Sequence, residues 1–210
     1  MDFSADQLIH IITGFVVVIL SLSAHEWGHA CTAARLGDGT PVLQGRVTLD
    51  PRAHIDIIGT VLMPLLALAS NFAVIGWAKP VMVNPRNLSR RADMAWVTIA
   101  GPAVNLVLAL VAAVALGILS RHSERLAEFA ALFLRINVGL MVFNLLPIPP
   151  LDGSKFLMYW FGMREETYHS FARYGWIILL AVVNIPQTRY LLMFLYAFAM
   201  APFGMIANLF

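Results

Sequence analysis

Six apolar stretches, at residues 8–34, 55–78, 95–119, 127–147, 172–185 and 189–209, leave this chain few ways to fold. Each is about long enough to cross or enter a bilayer at ~1.5 Å of rise per residue. Hydrophobic residues make up 60% of the chain and charged residues 12%, against roughly 25% charged in soluble domains. A soluble fold of 210 residues has too little interior to hide that much apolar surface, so lipid is the solvent to expect. The first stretch follows the acidic flank "MDFSAD" and precedes no small-residue cleavage site, so it is expected to remain as a membrane segment. The net charge of +2 gives no footprint for nucleic acid, and the single cysteine, Cys31, excludes an internal disulfide framework. The chain therefore reads as one integral membrane domain over residues 1–210, an all-α polytopic protein with five to six transmembrane helices in a lipid bilayer.

Positive charge sets the number of crossings. If all six stretches cross, Arg35, Arg46, Arg52, Arg121, Arg125, Arg135 and Arg189 lie on one side and the other seven Lys and Arg lie opposite, which is no bias. If the second stretch enters and leaves on one side, only Arg121, Arg125, Arg135 and Arg189 remain outside and ten cations lie inside. Gly59, Pro64 and Asn71 suit that stretch to a broken, re-entrant segment. Five crossings and one re-entrant element follow. Between the first two stretches, "LGDGTPVLQGRVTLDPRAH" places Val and Thr among turn residues and is expected to form a short β-hairpin.

The first stretch ends in "LSAHEWGHAC", where His25, Glu26 and His29 make an H-E-x-x-H pattern. On a helix, positions i and i+4 share a face, so both imidazoles can address one metal ion, with Glu26 beside them as a general base. Ionisable groups at membrane depth are costly and mark functional sites by default. The plainer alternative, neutral histidines packed between helices with Glu26 paired to an arginine, would require three separate partners within one turn. A catalytic zinc usually has three protein ligands and an open position. His10, His54, His122 and His169 are candidates for the third place, and so are the carboxylates. Asp152 stands out, because in "FNLLPIPPLDGSK" three prolines break an apolar helix immediately before it, and unwound backbone at membrane depth belongs beside a polar cavity.

Together the two motifs resemble the site-2 protease family of intramembrane zinc metalloproteases, which pairs H-E-x-x-H with N-x-x-P-x-x-x-L-D-G on a later helix. Here the second motif is Asn144, Pro147, Leu151, Asp152 and Gly153, and "AGPAVN" at 100–105 and "GWAKPV" at 76–81 resemble further elements of the small bacterial members. The resemblance implies one zinc per chain held by His25, His29 and Asp152, with Glu26 activating a zinc-bound water. It also implies a membrane-embedded protein or peptide as substrate, cut within or near its transmembrane segment. The site would open to the cytosol from a bacterial plasma membrane, the side on which the charge count independently puts both motifs. The PDZ and CBS domains carried by larger members are not expected within these 210 residues.

Other residues carry weaker signals. Asn144 could contact substrate or a developing oxyanion, or equally fix the end of the broken helix. His54 could gate the site or sit behind the ligands, or form an interfacial hydrogen bond. Asn105 and Asn137 read as polar contacts between helices. A metal transporter would also want intramembrane His and Asp, but it has no need of Glu26 beside them.

Overall fold

The structure, a computed structural model, describes residues 4–64 and 76–210. Among the described residues every regular element is helical. Helix α1 (Ala5–Arg35) starts where Ser4 accepts from the Gln7 amide and the Gln7 side chain accepts from the Ser4 amide, a reciprocal cap. Helix α2 (Thr40–Leu43) is a single turn. Short helical turns follow at Pro51–Ala53, Ile57–Leu62 and Pro85–Asn87. Then come α3 (Arg91–Leu119), α4 (Glu124–Asn144), α5 (Asp152–Trp160), α6 (Glu165–Ala172), α7 (Gly175–Asn184) and α8 (Pro186–Ala207).

Among the described residues four helices, α1, α3, α4 and α8, are long and apolar enough to cross a membrane, and α7 is a shorter apolar helix. These correspond to five of the six apolar stretches. The stretch at 55–78 includes residues 65–75, so whether it crosses or re-enters lies outside the described residues. Lipid as solvent is visible in the outward faces. Leu8, Ile9, Ile12 and Val16 on α1 and Leu191, Phe194 and Phe198 on α8 are all exposed. The chain is an integral membrane protein.

Helix α3 is the central element and packs against α1, α4, α5 and α8. Its contact face is built from small residues. Ala109, Ala112 and Ala113 meet Leu134 and Val138 of α4 and Phe203 of α8 in one buried cluster. In lipid the apolar effect between helices is absent, and close backbone approach over small side chains supplies the packing energy instead. The same economy appears between α1 and α3, where a Cβ on Gly28 would lie 2.8 Å from Val104 and 2.9 Å from the Ala100 carbonyl.

The expected hairpin after α1 does not form. Pro41 withholds an amide at the start of α2, and the Asp38 carboxylate captures both the amide and the hydroxyl of Thr40. The amides of Gln44 and Arg46 bond back to the carbonyls of Thr40 and Pro41, and Gly45 turns the chain at a φ of 64°. Local bonds thus consume the donors that a strand pair would have used. The Val and Thr residues here belong to a compact turn.

Asp38 itself is fully buried and accepts four hydrogen bonds: from the Thr40 amide and hydroxyl, the Asn84 amide and the Asn87 side chain. Burial raises its pKa, but those donors, Thr40 and Asn87 foremost, outweigh it and hold the carboxyl below its usual value. Its ionised form therefore stabilises the fold at neutral pH, and that contribution is lost as pH falls below ~4 and through the depressed folded value. The gap in thermal midpoint between wild type and Asp38→Asn should accordingly shrink as pH is lowered from 7 to below ~4. Overpacking the central cluster with Ala113→Leu should cost about 1–3 kcal/mol, read as a lower midpoint in detergent, while the same change at exposed Val111 should leave it nearly unmoved.

Candidate metal centre

Three side chains from two distant parts of the chain converge between α1, α3 and α5. His25 and His29 lie one turn apart on α1, and Asp152 is the first residue of α5. The prolines at 147, 149 and 150 end the preceding helix run, so that α5 restarts with its N-terminus at the site, where the helix dipole favours a carboxylate. Nε2 of His25 lies 3.1 Å from Nε2 of His29 and 3.1 Å from Oδ2 of Asp152, and His29 Nε2 lies 3.2 Å from the same oxygen. All three residues are buried. Lys155 reaches the other carboxylate oxygen at 3.9 Å.

The far side of each imidazole decides what its near side can offer. His29 Nδ1 lies 2.7 Å from the Val97 carbonyl, an acceptor, so Nδ1 carries the proton. His25 Nδ1 lies 2.6 Å from Asn105 Oδ1. The Asn105 amide is oriented by its own donors, which reach Asn137 Oδ1 at 3.0 Å and the Ser21 carbonyl at 3.5 Å. Asn137 is oriented in turn by donation to the Phe133 carbonyl at 2.9 Å and to the Ser21 hydroxyl at 3.0 Å. Backbone carbonyls at the end of this chain thus fix His25 with its proton on Nδ1. A neutral imidazole has one N–H, so both Nε2 atoms present lone pairs to each other and to a carboxylate.

Three acceptors facing one another repel unless a cation lies among them. A proton can bridge one pair; a metal ion can satisfy all three. A tetrahedral zinc with bonds of about 2.0–2.2 Å has ligand edges of about 3.3–3.6 Å, so an expansion of a few tenths of an ångström admits it. The donor set fits zinc, and the residues that would hold it are His25, His29 and Asp152. Room for the imidazoles comes from Gly101 of α3, where a Cβ would lie 2.6 Å from His25 Nε2 and closer still to that of His29.

A cleft of about 780 Å³ opens over the three residues. Glu26 and Asn144 line it, as do Trp77 and Val81 of the segment leading to α3. Glu26 Oε2 accepts from the Val81 amide at 3.1 Å. Asn144 donates to the Leu140 carbonyl one turn back, at 3.0 Å, which ties its amide to the end of α4. His54 lies apart from the cleft lining. Its Nε2 donates to the Thr48 carbonyl at 2.9 Å, and its buried Nδ1 has no partner among the described residues. The residues behind His25 were harder to foresee. Ser21 continues the spacing of His25 and His29 by one more turn, which was the available signal, whereas Asn105 and Asn137 looked like ordinary helix contacts.

Asn105→Ala removes the acceptor from His25 Nδ1 and should weaken metal binding about 10- to 100-fold. Gly101→Ala should displace both imidazoles and abolish it. Zinc retained by the purified protein after dialysis against a graded chelator distinguishes these outcomes from wild type.

Comparison with known proteins agrees with this geometry. The model of peptidase family M50 matches residues 117–184. A Bacillus subtilis protein named "Putative zinc metalloprotease YwhC" is 35% identical across 84% of this chain and 82% of its own length. A Mycobacterium tuberculosis protein named "Putative zinc metalloprotease Rip2" is 32% identical across 94% of this chain and 69% of its own. Its Mycolicibacterium smegmatis namesake is 31% identical across 82% and 68%. No solved structure matches. With likeness at that level over most of both sequences, the chain belongs to peptidase family M50, the site-2 protease family.

Proposed function

We propose that the chain is a zinc-dependent intramembrane endopeptidase, one domain over residues 1–210, that hydrolyses peptide bonds within or near the transmembrane segments of other membrane proteins. The observation that carries this is the meeting of His25, His29 and Asp152 with bare acceptor atoms 3.1–3.2 Å apart, beside Glu26 in an open cleft. Zinc bound there would supply a Lewis acid that makes water nucleophilic near neutral pH and polarises the scissile carbonyl. Glu26 takes the proton from the attacking water and delivers it to the leaving amine. His25 and His29 keep their protons on Nδ1 throughout, held by Asn105 and Val97, so each presents a fixed lone pair. Asn144 lines the same cleft with one amide hydrogen committed to Leu140 and the other available to substrate. His54, outside the lining, serves the loop that supports the cleft.

A transmembrane substrate hides its carbonyls in helical hydrogen bonds and must unwind before it is cut. Substrates with Gly, Pro or Asn near the scissile bond are therefore preferred. The excess of positive charge that five crossings place on the side of both motifs supports a site open to the cytosol, in a bacterial plasma membrane.

Purified wild type and Glu26→Gln should each hold about one zinc, with Asp152→Ala losing it. Wild type should cut a detergent-solubilised transmembrane peptide and Glu26→Gln should be slower by about 10²–10⁴-fold. Chelation should abolish cleavage and zinc should restore it. A well-folded wild type that takes up no zinc when supplied with it would overturn the proposal.

A further inference from the structure

Between Gly76 and the turn at Pro85–Asn87 the chain runs past the cleft without pairing into a helix or strand, yet it is tightly held. Its inward bonds alternate. The Trp77 amide donates to the Gly59 carbonyl at 3.1 Å, and the Lys79 amide to the His54 carbonyl at 2.8 Å. Arg46 donates to the Lys79 carbonyl at 3.3 Å. The Val81 amide, two residues on, donates to Glu26 Oε2 at 3.1 Å. The far end is fixed by Asp38, whose carboxylate accepts the Asn84 amide at 2.7 Å and the Asn87 side chain at 2.7 Å. Among the described residues the bond from Val81 is the single hydrogen bond made by the Glu26 carboxylate.

We propose that the Val81 amide is a positioning group for Glu26, and that buried Asp38 is the anchor that holds the strap carrying that amide in place. The inference rests on the protease reading of the site. A carboxylate on a side chain with three rotatable bonds needs such a tether, because a base misplaced by about 1 Å can lose about a hundredfold in rate. The tether is a backbone donor, so the Val81 side chain is incidental to it. Asp38 acts at a distance: two of its accepted hydrogen bonds, from Thr40, shape the loop after α1, and two, from Asn84 and Asn87, close that loop onto the end of the strap.

The test uses the full-length, zinc-loaded protein. Val81→Pro removes the donor and should lower kcat on a transmembrane peptide about 10- to 100-fold, with KM within threefold and zinc retained. Val81→Ala keeps the donor and should retain more of the wild-type kcat than Val81→Pro does. Asp38→Asn should follow Val81→Pro in kcat. Amide hydrogen exchange reads the same linkage without turnover. Glu26→Ala should speed exchange at Val81 but not at Asn84, whereas Asp38→Asn should speed both. Wild-type kcat in Val81→Pro, or unchanged Val81 exchange in Glu26→Ala, would overturn the inference. If Asp38→Asn does not fold, the Val81 pair and the Glu26→Ala exchange decide alone. A zinc-loaded wild type that cuts no transmembrane peptide would overturn the protease reading instead, and the exchange pattern would still decide whether the strap tethers Glu26.

Discussion

Two imidazole nitrogens and a carboxylate oxygen, each presenting lone pairs within 3.2 Å of the others at membrane depth, are the constraint around which this protein is built. Burying such a set without a cation would cost more than any single helix contact returns. The surrounding structure is what makes it tolerable once a cation is present. Asn105, Asn137 and Ser21, drawn from α3, α4 and α1, form a hydrogen-bonded chain whose direction is set by main-chain carbonyls and whose last member holds the proton of His25. The two asparagines are fully buried, so each amide must spend its donors and acceptor inside the protein. The polar chain therefore does two jobs: it joins three helices where lipid offers no apolar drive to association, and it fixes a ligand tautomer.

Small residues complete the arrangement. Gly101 leaves the space that both imidazoles occupy, and Gly28 brings α1 against α3 just beside them. Further along α3 the alanines at 109, 112 and 113 draw in α4 and α8. Helix α3 thus reads from one end to the other as a floor for the site and then as the spine of the bundle. Many of the large apolar side chains, by contrast, face outward, because in lipid they gain little by being inside.

Much of this was legible in the sequence because it depends on spacing. His25 and His29 share a helix face by the 3.6-residue period, and three prolines announce that the apolar helix breaks just before Asp152, although not that a new helix starts there. The apolar runs matched the long helices within a few residues. The hairpin was misread because Val and Thr scattered among turn residues in 40–49 suit a strand pair as well as a compact turn, and a pattern of that length cannot reveal that Asp38 will capture the Thr40 donors. Asn105 and Asn137 were visible as residues but not as a chain, since which buried asparagine meets which depends on helix rotation. The Val81 amide left no signal at all, because every residue but proline carries one.

That invisibility follows from the geometry of α1. Successive residues on an α-helix are rotated by about 100°, so a helix that aims His25 and His29 inward must aim Glu26 a quarter-turn away. The helix neighbours of Glu26 on α1 are apolar or already engaged: Leu22 at i−4 and Ala30 at i+4 are apolar, Ser23 at i−3 donates its hydroxyl to the Ile19 carbonyl, and His29 at i+3 belongs to the metal-site cluster. On the proposed reading of Glu26 as the base, its orientation must come from an element outside the helix, on the open side of the cleft, where a bulky side chain would stand in the way of a substrate. A main-chain amide meets both demands, since it donates a directed hydrogen bond and occupies little space. It can do so only if its own segment is held, which is why a buried carboxylate, Asp38, sits at the far end of a strap that has no regular structure of its own.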